Sequence, residues 1–281
     1  MDNFLNSTKG TLQEKLAKQK REFTLRMSNI GRPCVRQLWL EKNFPQSVIQ
    51  PSPSNKLKFS FGDLTEEYLI FLAELAGYRV ETRQKEAELF GIKGHRDVVI
   101  NGWMVDVKSA SSFSFQKFKD HLTPEQDAFG YITQLMSYLE DAQDDPVVIE
   151  KNKAAFLVFD KQHGHICLDI HERDPNFNWE EFYEARKTIV NGPDIPDRAF
   201  QAKPDGYKNP KTKEFVPNGN EYLDVNCSYC PVKHKCWDNI RTFIYYGGKP
   251  KYFTKIVEGK EPKVLEITEK ESPNTEEEEI T

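Results

Sequence analysis

Two aspartates and a lysine on either side of a tight turn are the residues of this chain best suited to chemistry. Asp97 precedes the Asn101-Gly102 pair, and Asp106 and Lys108 follow it. Asn-Gly between alternating apolar residues predicts a β-hairpin with a two-residue turn, and such a turn fixes the pairing register. In this register Asp97 faces Asp106, so both carboxylates lie on one face of the hairpin.

Facing carboxylates on a strand pair are costly unless a cation lies between them. Directly opposed residues have Cβ atoms about 5 Å apart, and two like charges at that distance repel by roughly 3 kcal/mol at an effective dielectric of about 20. A divalent cation turns this repulsion into ligation, and hard oxygen ligands favour Mg²⁺ or Mn²⁺. The pattern predicts a metal-dependent phosphodiesterase site with Lys108 as a fixed positive charge, although an Asp-x-Lys triplet alone is also typical of a solvated strand face.

Hydrophobic periodicity predicts the elements that must hold these residues. His95 and Lys108 share the acidic face of the hairpin, and the other face predicts a core surface made of Val98, Ile100, Trp103, Val105 and Val107. Around the hairpin we predict helices over 11–26, from Pro33 onward, 61–76, 128–140 and 179–190, and strands over 78–89, 154–160 and 165–170. Residues 191–221 are rich in Pro, Gly, Asn and Lys, which predicts mostly loop. This order favours an α/β fold with a central mixed sheet flanked by helices.

Four cysteines have the spacing of a second, different metal centre. Cys227, Cys230 and Cys236 form a C-x2-C-x5-C cluster, and Cys34 is the natural fourth ligand, tying an N-terminal helix to the C-terminal segment. The asymmetric triplet favours a [4Fe–4S] cluster. Zinc sites more often show two C-x2-C pairs, but zinc stays open as the alternative, because His234 is a further zinc ligand candidate.

Composition and charge narrow the classes of protein that this chain can represent. It has 281 residues, of which 38% are hydrophobic and 30% charged, and its net charge is −5. There is no run of about 18 apolar residues and no apolar signal segment at the N-terminus, so we expect an intracellular protein with no membrane span. The negative charge is concentrated at the C-terminal end, which predicts an acidic, disordered tail.

In order along the chain, these motifs resemble those of the PD-(D/E)XK nuclease superfamily, and more narrowly its RecB-like branch with a four-cysteine iron–sulfur cluster. That branch includes the exonuclease of CRISPR adaptation modules, the AddB nuclease domain and related phage exonucleases. The motifs are weak singly and strong in this order: Cys34 with Arg36 and Trp39, Gly62-x3-Glu66, Gly94-x2-Asp97, Asp106-x-Lys108, Gln134-x3-Tyr138 and the three terminal cysteines.

The resemblance implies a role for each matching residue. The family carries a metal-binding His where this chain has Glu66; a carboxylate can ligate the same hard metal, and the adjacent Glu67 competes for this role. The implied ligands of Mg²⁺ or Mn²⁺ are Glu66, Asp97, Asp106 and the carbonyl of Val107. The implied catalytic residues are Asp97, Asp106, Lys108 and Gln134. Tyr138 and Arg36 are the implied DNA contacts, and Cys34, Cys227, Cys230 and Cys236 the cluster ligands.

The resemblance also implies a restriction-endonuclease-like core whose N- and C-terminal segments are joined by the metal cluster. We expect a basic helical segment over 1–33, a nuclease domain over 34–250 and the acidic tail over 251–281. The implied function is a metal-dependent DNA nuclease, favoured as an exonuclease, in recombination, repair, phage DNA processing or CRISPR adaptation. Its setting would be a bacterial or phage-infected host cytoplasm, with recombination or replication proteins as partners. Two alternatives stay open: a non-catalytic DNA-binding module stabilised by a Cys₄ zinc or iron–sulfur centre, and an assembly factor that docks partners through its tail.

Overall fold

The computed structural model describes residues 23–51, 53–246 and 248–267. Within them the chain forms two compact units, one made of residues 24–33 and 55–192, the other of the remaining described residues. The hairpin lies in the first unit and the four candidate cluster cysteines lie in the second, so residues of the predicted nuclease domain over 34–250 fall in both units, and that domain stays a prediction. The N-terminal basic helix was predicted mainly on residues 1–22, which lie outside the described residues.

Helices and strands are interspersed along the chain in short groups of one type. In chain order they are α1 (Met27–Ile30), α2 (Val35–Asn43), α3 (Pro53–Leu75), β1 (Val80–Leu89), β2 (Ile92–Ile100), β3 (Trp103–Ala110), α4 (Ser112–Lys119), α5 (Tyr131–Asp141), β4 (Lys153–Asp160), β5 (Ile166–Glu172), α6 (Trp179–Asn191), β6 (Lys203–Lys208), β7 (Phe215–Tyr222), α7 (Val225–Ser228), α8 (Lys233–Cys236), β8 (Arg241–Tyr245), β9 (Lys249–Lys255) and β10 (Leu265–Ile267).

The first unit is built on a five-stranded sheet with the order β1-β2-β3-β4-β5. The pairs β1–β2, β2–β3 and β4–β5 are antiparallel, whereas β3 and β4 are parallel. A parallel pair needs a crossover connection, and α4 and α5 supply it. The predicted α/β class, with a mixed sheet flanked by helices, is confirmed.

The hairpin between β2 and β3 has the predicted turn and register. Asn101 and Gly102 both have positive φ, 50° and 78°, as a type I′ turn requires. Val98 pairs with Val105 and Ile100 with Trp103, as predicted. The predicted apolar face is also confirmed, because it packs as one cluster with Leu69 and Ile70 of α3 and with other apolar residues: Val98, Val105, Val107, Ile100, Trp103, Val80, Leu72, Leu157 and Phe159.

The second unit contains a second five-stranded sheet, with the order β10-β8-β9-β7-β6. The predicted loop over 191–221 is wrong where β6 and β7 form, and the predicted disordered tail over 251–281 is wrong for 251–267, which carry most of β9 and all of β10. Pro, Gly, Lys and Asn in these strands hide the period-two pattern that marks a strand, and a register shift between Pro204 and Gly206 interrupts it further. Residues 268–281 of the predicted tail lie outside the described residues.

The length and hydropathy of a helix decide whether it could span a membrane. None of the described helices is both long enough and apolar enough to cross a bilayer.

Candidate functional site

The paired part of the β2–β3 hairpin ends just before the two aspartates, and beyond it the side chain of Asp97 reaches the backbone of β3. The last paired residues on this side are Val98 and Val105. Asp97 comes next, and its Oδ2 accepts a hydrogen bond from the backbone N–H of Val107 at 2.9 Å. The carboxylate of Asp97 therefore lies beside the strand segment that carries Asp106 and Lys108.

Asp106 is a buried carboxylate that the protein does not fully satisfy. Its side chain is 2% exposed, and the ammonium of Lys108 contacts its Oδ2. No hydrogen-bond donor among the described residues reaches its Oδ1. A buried acceptor without a donor is costly, and the geometry leaves this oxygen available to a cation.

The charges of this site shift one another's ionisation. Burial, and then the charge of Asp106, raise the pKa of Asp97 to about 8. Burial alone would lower the pKa of Lys108, but the charges of Asp106 and Asp97 outweigh burial and raise its pKa above the ordinary value. Lys108 is therefore an ammonium at neutral pH, whereas Asp97 mostly keeps its proton there unless a further positive charge is present.

Of the two adjacent glutamates on α3, Glu66 is the one that interacts electrostatically with Asp106 and Lys108. Burial raises the pKa of Glu66, and the charge of Asp106 adds to the rise. Glu67 is exposed and forms an ion pair with Arg83 at 3.4 Å. The carboxylates of Glu66, Asp97 and Asp106 do not form a closed ligand triangle: the one trio of His, Cys, Asp or Glu ligand atoms within 4.8 Å of one another among the described residues lies elsewhere.

Gln84 holds Glu66 in place, and sequence reasoning missed it. Its side-chain amide donates to Oε1 of Glu66 at 2.5 Å. The neighbours of Gln84 on β1 pair with Val98 and Arg96, so Gln84 lies across from Asp97. Its φ of 47° is in the left-handed region, which is uncommon for a residue other than glycine. A polar residue within a strand gives no sequence signal for such a position.

The helix α5 is anchored by a side chain at its N-terminus. Asp127 accepts hydrogen bonds from four backbone N–H groups, those of residues 129–132, at 2.8–3.3 Å. This anchor fixes Tyr131, whose ring lies 5.0 Å from the Lys108 ammonium. Neither Asp127 nor Tyr131 was predicted from the sequence, although Asp near a helix start is a recognisable capping signal.

Gln134 and Tyr138, the predicted pair on α5, are in contact. The amide of Gln134 lies 3.4 Å from the Tyr138 hydroxyl, and the ring of Tyr138 is buried. A Cβ added to Gly94 would lie 2.8 Å from Tyr138 Cε1 and 2.8 Å from Met27 Cβ. The glycine of the Gly94-x2-Asp97 motif thus allows α1 and α5 to pack closely on β2. Tyr138 belongs to the core in this conformation, and its contact with DNA stays a prediction.

The side chains present at the hairpin fit a hard divalent cation. The ligand atoms are carboxylate oxygens, one of them is buried without a donor among the described residues, and Asp97 ionises only near pH 8 unless a further positive charge is present. Glu66 enters the set through its charge interactions with Asp106 and Lys108. The carbonyl of Val107 lies on the same strand segment, and its role as a ligand stays a prediction.

The four cysteines come together in the second unit. Cys34 directly precedes α2, Cys227 lies in α7, Cys230 follows it, and Cys236 ends α8. Burial, with smaller contributions from the neighbouring Cys34 and Cys236, raises the pKa of the Cys227 thiol to about 11. An apolar shell surrounds the group: Trp39, Leu40, Val232, Phe44 and Val48.

The spacing of these thiols bears on the choice between zinc and a cluster. Four thiolates on one tetrahedral zinc lie about 3.8 Å apart, since Zn–S bonds are about 2.3 Å long. Among the described residues, no three cysteine sulfurs lie within 4.8 Å of one another. The choice between a [4Fe–4S] cluster and zinc at these cysteines stays a prediction. Arg36, a predicted DNA contact, donates through Nε to the Cys236 sulfur at 3.2 Å, so its guanidinium supports this centre.

Comparisons with known proteins give structural neighbours and no close relative. No protein-family model matches the chain, and no curated protein matches it. An alkaline exonuclease (LHK-Exo) from Laribacter hongkongensis matches 47% of this chain at 14% identity with a TM-score of 0.33; the match spans 64% of that enzyme's length. The crystal structure of SSO0001 matches 79% of this chain and 90% of that one, at 16% identity with a TM-score of 0.40.

A phage-related exonuclease from Haemophilus somnus 129PT is a further neighbour. It matches 56% of this chain and 75% of its own, at 17% identity with a TM-score of 0.37. Identities and TM-scores this low describe a partial likeness of fold. The functional argument below therefore starts from the side chains of the hairpin site.

Proposed function

We propose that this protein is a metal-dependent DNA nuclease of the PD-(D/E)XK type. The observation that supports this most directly is the buried Asp106 carboxylate, which contacts Lys108 and has one oxygen without a donor among the described residues. Asp97 adds a second carboxylate whose pKa is raised by burial and by Asp106. Such a pair is unfavourable for folding alone and suits a site that binds a divalent cation.

The proposed ligands of Mg²⁺ or Mn²⁺ are Asp97, Asp106, Glu66 and the carbonyl of Val107. When bound, the cation would lower the pKa of a water and neutralise phosphate charge. Lys108 stabilises the negative charge that develops on the phosphate, because the two aspartates keep it protonated. Gln84 and Tyr131 act as positioning residues, the first through Glu66 and the second beside Lys108.

DNA as the substrate is supported by exposed aromatic and cationic residues on α4. Phe113 is 78% exposed, and the Lys117 ammonium lies 5.5 Å from its ring. Exposed aromatic rings beside cations are typical of surfaces on which unpaired bases stack. This surface favours a strand end or a single strand as substrate. We therefore favour an exonuclease that resects DNA in recombination, repair, phage DNA processing or CRISPR adaptation.

The test is digestion of end-labelled single- and double-stranded linear DNA, and of circular DNA, with Mg²⁺, Mn²⁺ or EDTA. We expect cleavage of linear DNA with either cation and none with EDTA. Asp106→Asn should lower the rate by at least about 1,000-fold while the circular dichroism spectrum stays unchanged. Binding of DNA without cleavage would contradict the proposal and favour a binding module, and cleavage of circular DNA would contradict the exonuclease assignment.

A matched pair of variants tests the helix ligand. Glu66→Gln should weaken the apparent Mg²⁺ affinity, whereas Glu67→Gln, one residue along the same helix, should not change it. The two substitutions are chemically identical, and Glu67 is exposed and paired with Arg83. Equal effects of the two variants would remove Glu66 from the ligand set.

A further inference from the structure

Three residues from two distant segments form a second cluster of metal-ligating side chains in the first unit. Asp169 and His171 lie on β5, and His121 follows α4. The Nδ1 of His121 is 2.8 Å from Oδ1 of Asp169, and Nε2 of His171 is 3.0 Å from Oδ2. One ligand atom from each of the three residues lies within 4.8 Å of the other two.

The arrangement has the features of a built site. Residues two apart on a strand point to one face, so Asp169 and His171 present their ligand atoms together. Both are nearly fully buried, at 3% and 6% exposure, and the His121 ring stacks on that of His171 with 4.6 Å between centroids. The backbone N–H of Leu122 donates to Oδ2 of Asp169 at 3.1 Å and fixes the carboxylate.

The backbone conformation of His121 is a further feature of this cluster. Its φ of 72° lies in the left-handed region, which costs free energy for a residue with a side chain. That conformation brings a second imidazole to a carboxylate already bonded to His171. The His121 side chain is 62% exposed, so this side of the cluster faces solvent.

We propose that His121, Asp169 and His171 bind one divalent first-row transition metal ion, with Zn²⁺ the favoured ion. Two imidazoles and one carboxylate suit Zn²⁺, whereas Mg²⁺ favours all-oxygen ligands. Ligand atoms on a tetrahedral zinc lie about 3.3 Å apart, so the trio needs to close by at most about 1.5 Å. On binding, the ion would take the place of any ring N–H that faces Asp169, and each such proton would move to the other nitrogen of its imidazole or to solvent. The ion would fix the segment after α4 on the edge strand β5.

His163 provides a matched control for this site. Its side chain is also 62% exposed, and its Nδ1 lies 3.1 Å from Oδ2 of the buried Asp160. This pair repeats the His121–Asp169 contact. It lacks a third ligand within 4.8 Å among the described residues.

The test compares the full-length protein with His121→Ala and His163→Ala. Each is stripped with EDTA, equilibrated with Zn²⁺, freed of excess ion, and analysed for zinc per chain and for Tm. Zinc at the cysteines or at the hairpin site contributes equally to all three proteins and cancels in the comparison. We expect the wild type and His163→Ala to hold one more zinc than His121→Ala, and zinc to raise Tm less in His121→Ala.

The zinc affinity of His121→Ala measures how much this residue contributes to the site. Loss of one of three ligands should weaken zinc binding at this site by about 100-fold or more, measured by competition with a chelating dye. Equal stoichiometry, affinity and Tm shift in His121→Ala and the wild type would overturn the proposal and leave a hydrogen-bonded triad only. His121 is exposed, so its removal should leave the fold intact, and unchanged circular dichroism verifies this.

Discussion

Asp106 and Asp169 are both nearly fully buried carboxylates on the same sheet, at 2% and 3% exposure, but their surroundings differ in kind. Asp169 accepts hydrogen bonds from two imidazoles and a backbone N–H. Burial raises its pKa, but these bonds outweigh burial and hold the pKa below the ordinary value. Asp106 has an ammonium on one oxygen, no donor on the other and a second aspartate nearby.

The two carboxylates therefore need different partners to be stable when ionised. Asp169 is stable without an ion, because donors from the protein already compensate its charge, and a metal there would exchange with protons. The single ammonium of Lys108 cannot balance both Asp106 and an ionised Asp97, so Asp97 keeps its proton up to about pH 8 unless a cation is bound. Removing residues around Asp169 should therefore affect mainly stability, and removing residues around Asp106 should affect mainly catalysis.

The largest expected effect is on catalysis at the first carboxylate. Lys108→Ala should lower the rate of DNA hydrolysis by about 10²- to 10³-fold, or roughly 3–4 kcal/mol, because it removes a fixed charge that stabilises the transition state. The rate is measured with labelled linear DNA at saturating Mg²⁺. Lys153→Ala, which removes an exposed lysine paired with Glu172 on the neighbouring strands, is the control and should keep the wild-type rate. Near-normal turnover of Lys108→Ala would show that the lysine has another role.

The hairpin shows why part of this site was predictable from sequence. A two-residue turn fixes its own register, so Asn101-Gly102 alone placed Asp97 opposite the segment of Asp106. The apolar face followed from alternation within the same short segment. Both inferences depend on interactions between residues that are close in sequence, so the sequence alone reveals them.

Contacts between distant segments were not predictable in the same way. His121 and Asp169 are 48 residues apart, and neither belongs to a motif of fixed spacing. The contact of Gln84 with Glu66 depends on a left-handed residue within a strand, which no local pattern marks. The second sheet was missed because its strands are short and carry Pro, Gly and Asn, so packing rather than propensity decides their structure.

The free energy of unfolding should depend on the second carboxylate, Asp169. Asp169→Asn in EDTA should lower the free energy of unfolding by about 2–4 kcal/mol, because it weakens charge-assisted hydrogen bonds and leaves buried donors unpaired. Urea denaturation measures this loss. Asp120→Asn removes an exposed carboxylate close in sequence that accepts only from Gln116 among the bonds described for it, and it should change stability by no more than about 0.5 kcal/mol. If both variants were equally stable, the compensated surroundings of Asp169 would contribute nothing to folding.

A smaller effect is expected where Gln84 orients Glu66. Gln84→Ala should raise the Mg²⁺ concentration needed for half-maximal cleavage by about 10-fold, the lower end for loss of a group that orients a ligand. The rate at saturating Mg²⁺ should change little, because Gln84 does not touch the reacting atoms. Gln116→Ala, which removes an exposed glutamine on α4, is the control. A loss of rate at saturating Mg²⁺ with unchanged Mg²⁺ dependence would contradict a positioning role.

The smallest expected effect distinguishes the two carboxylate sites by the sign of a pH dependence. The pKa of Asp97 in the folded protein is about 8, whereas its unfolded value is about 3.9. The folded state therefore favours the protonated form, and the stability that Asp97 contributes at low pH is lost as the pH rises toward 8. In EDTA, Asp97→Asn should be more stable than the wild type at pH 8, by a few degrees in Tm, with a smaller difference at pH 5. Mg²⁺ at pH 8 should raise the Tm of the wild type more than that of Asp97→Asn, because only the wild type gains a ligand for the ion. Asp97→Asn could instead be less stable than the wild type at pH 8 in EDTA, as is expected for Asp169→Asn. Such a result would mean that groups of the protein already balance the charges of the hairpin carboxylates, and it would remove the reason for placing a cation between them.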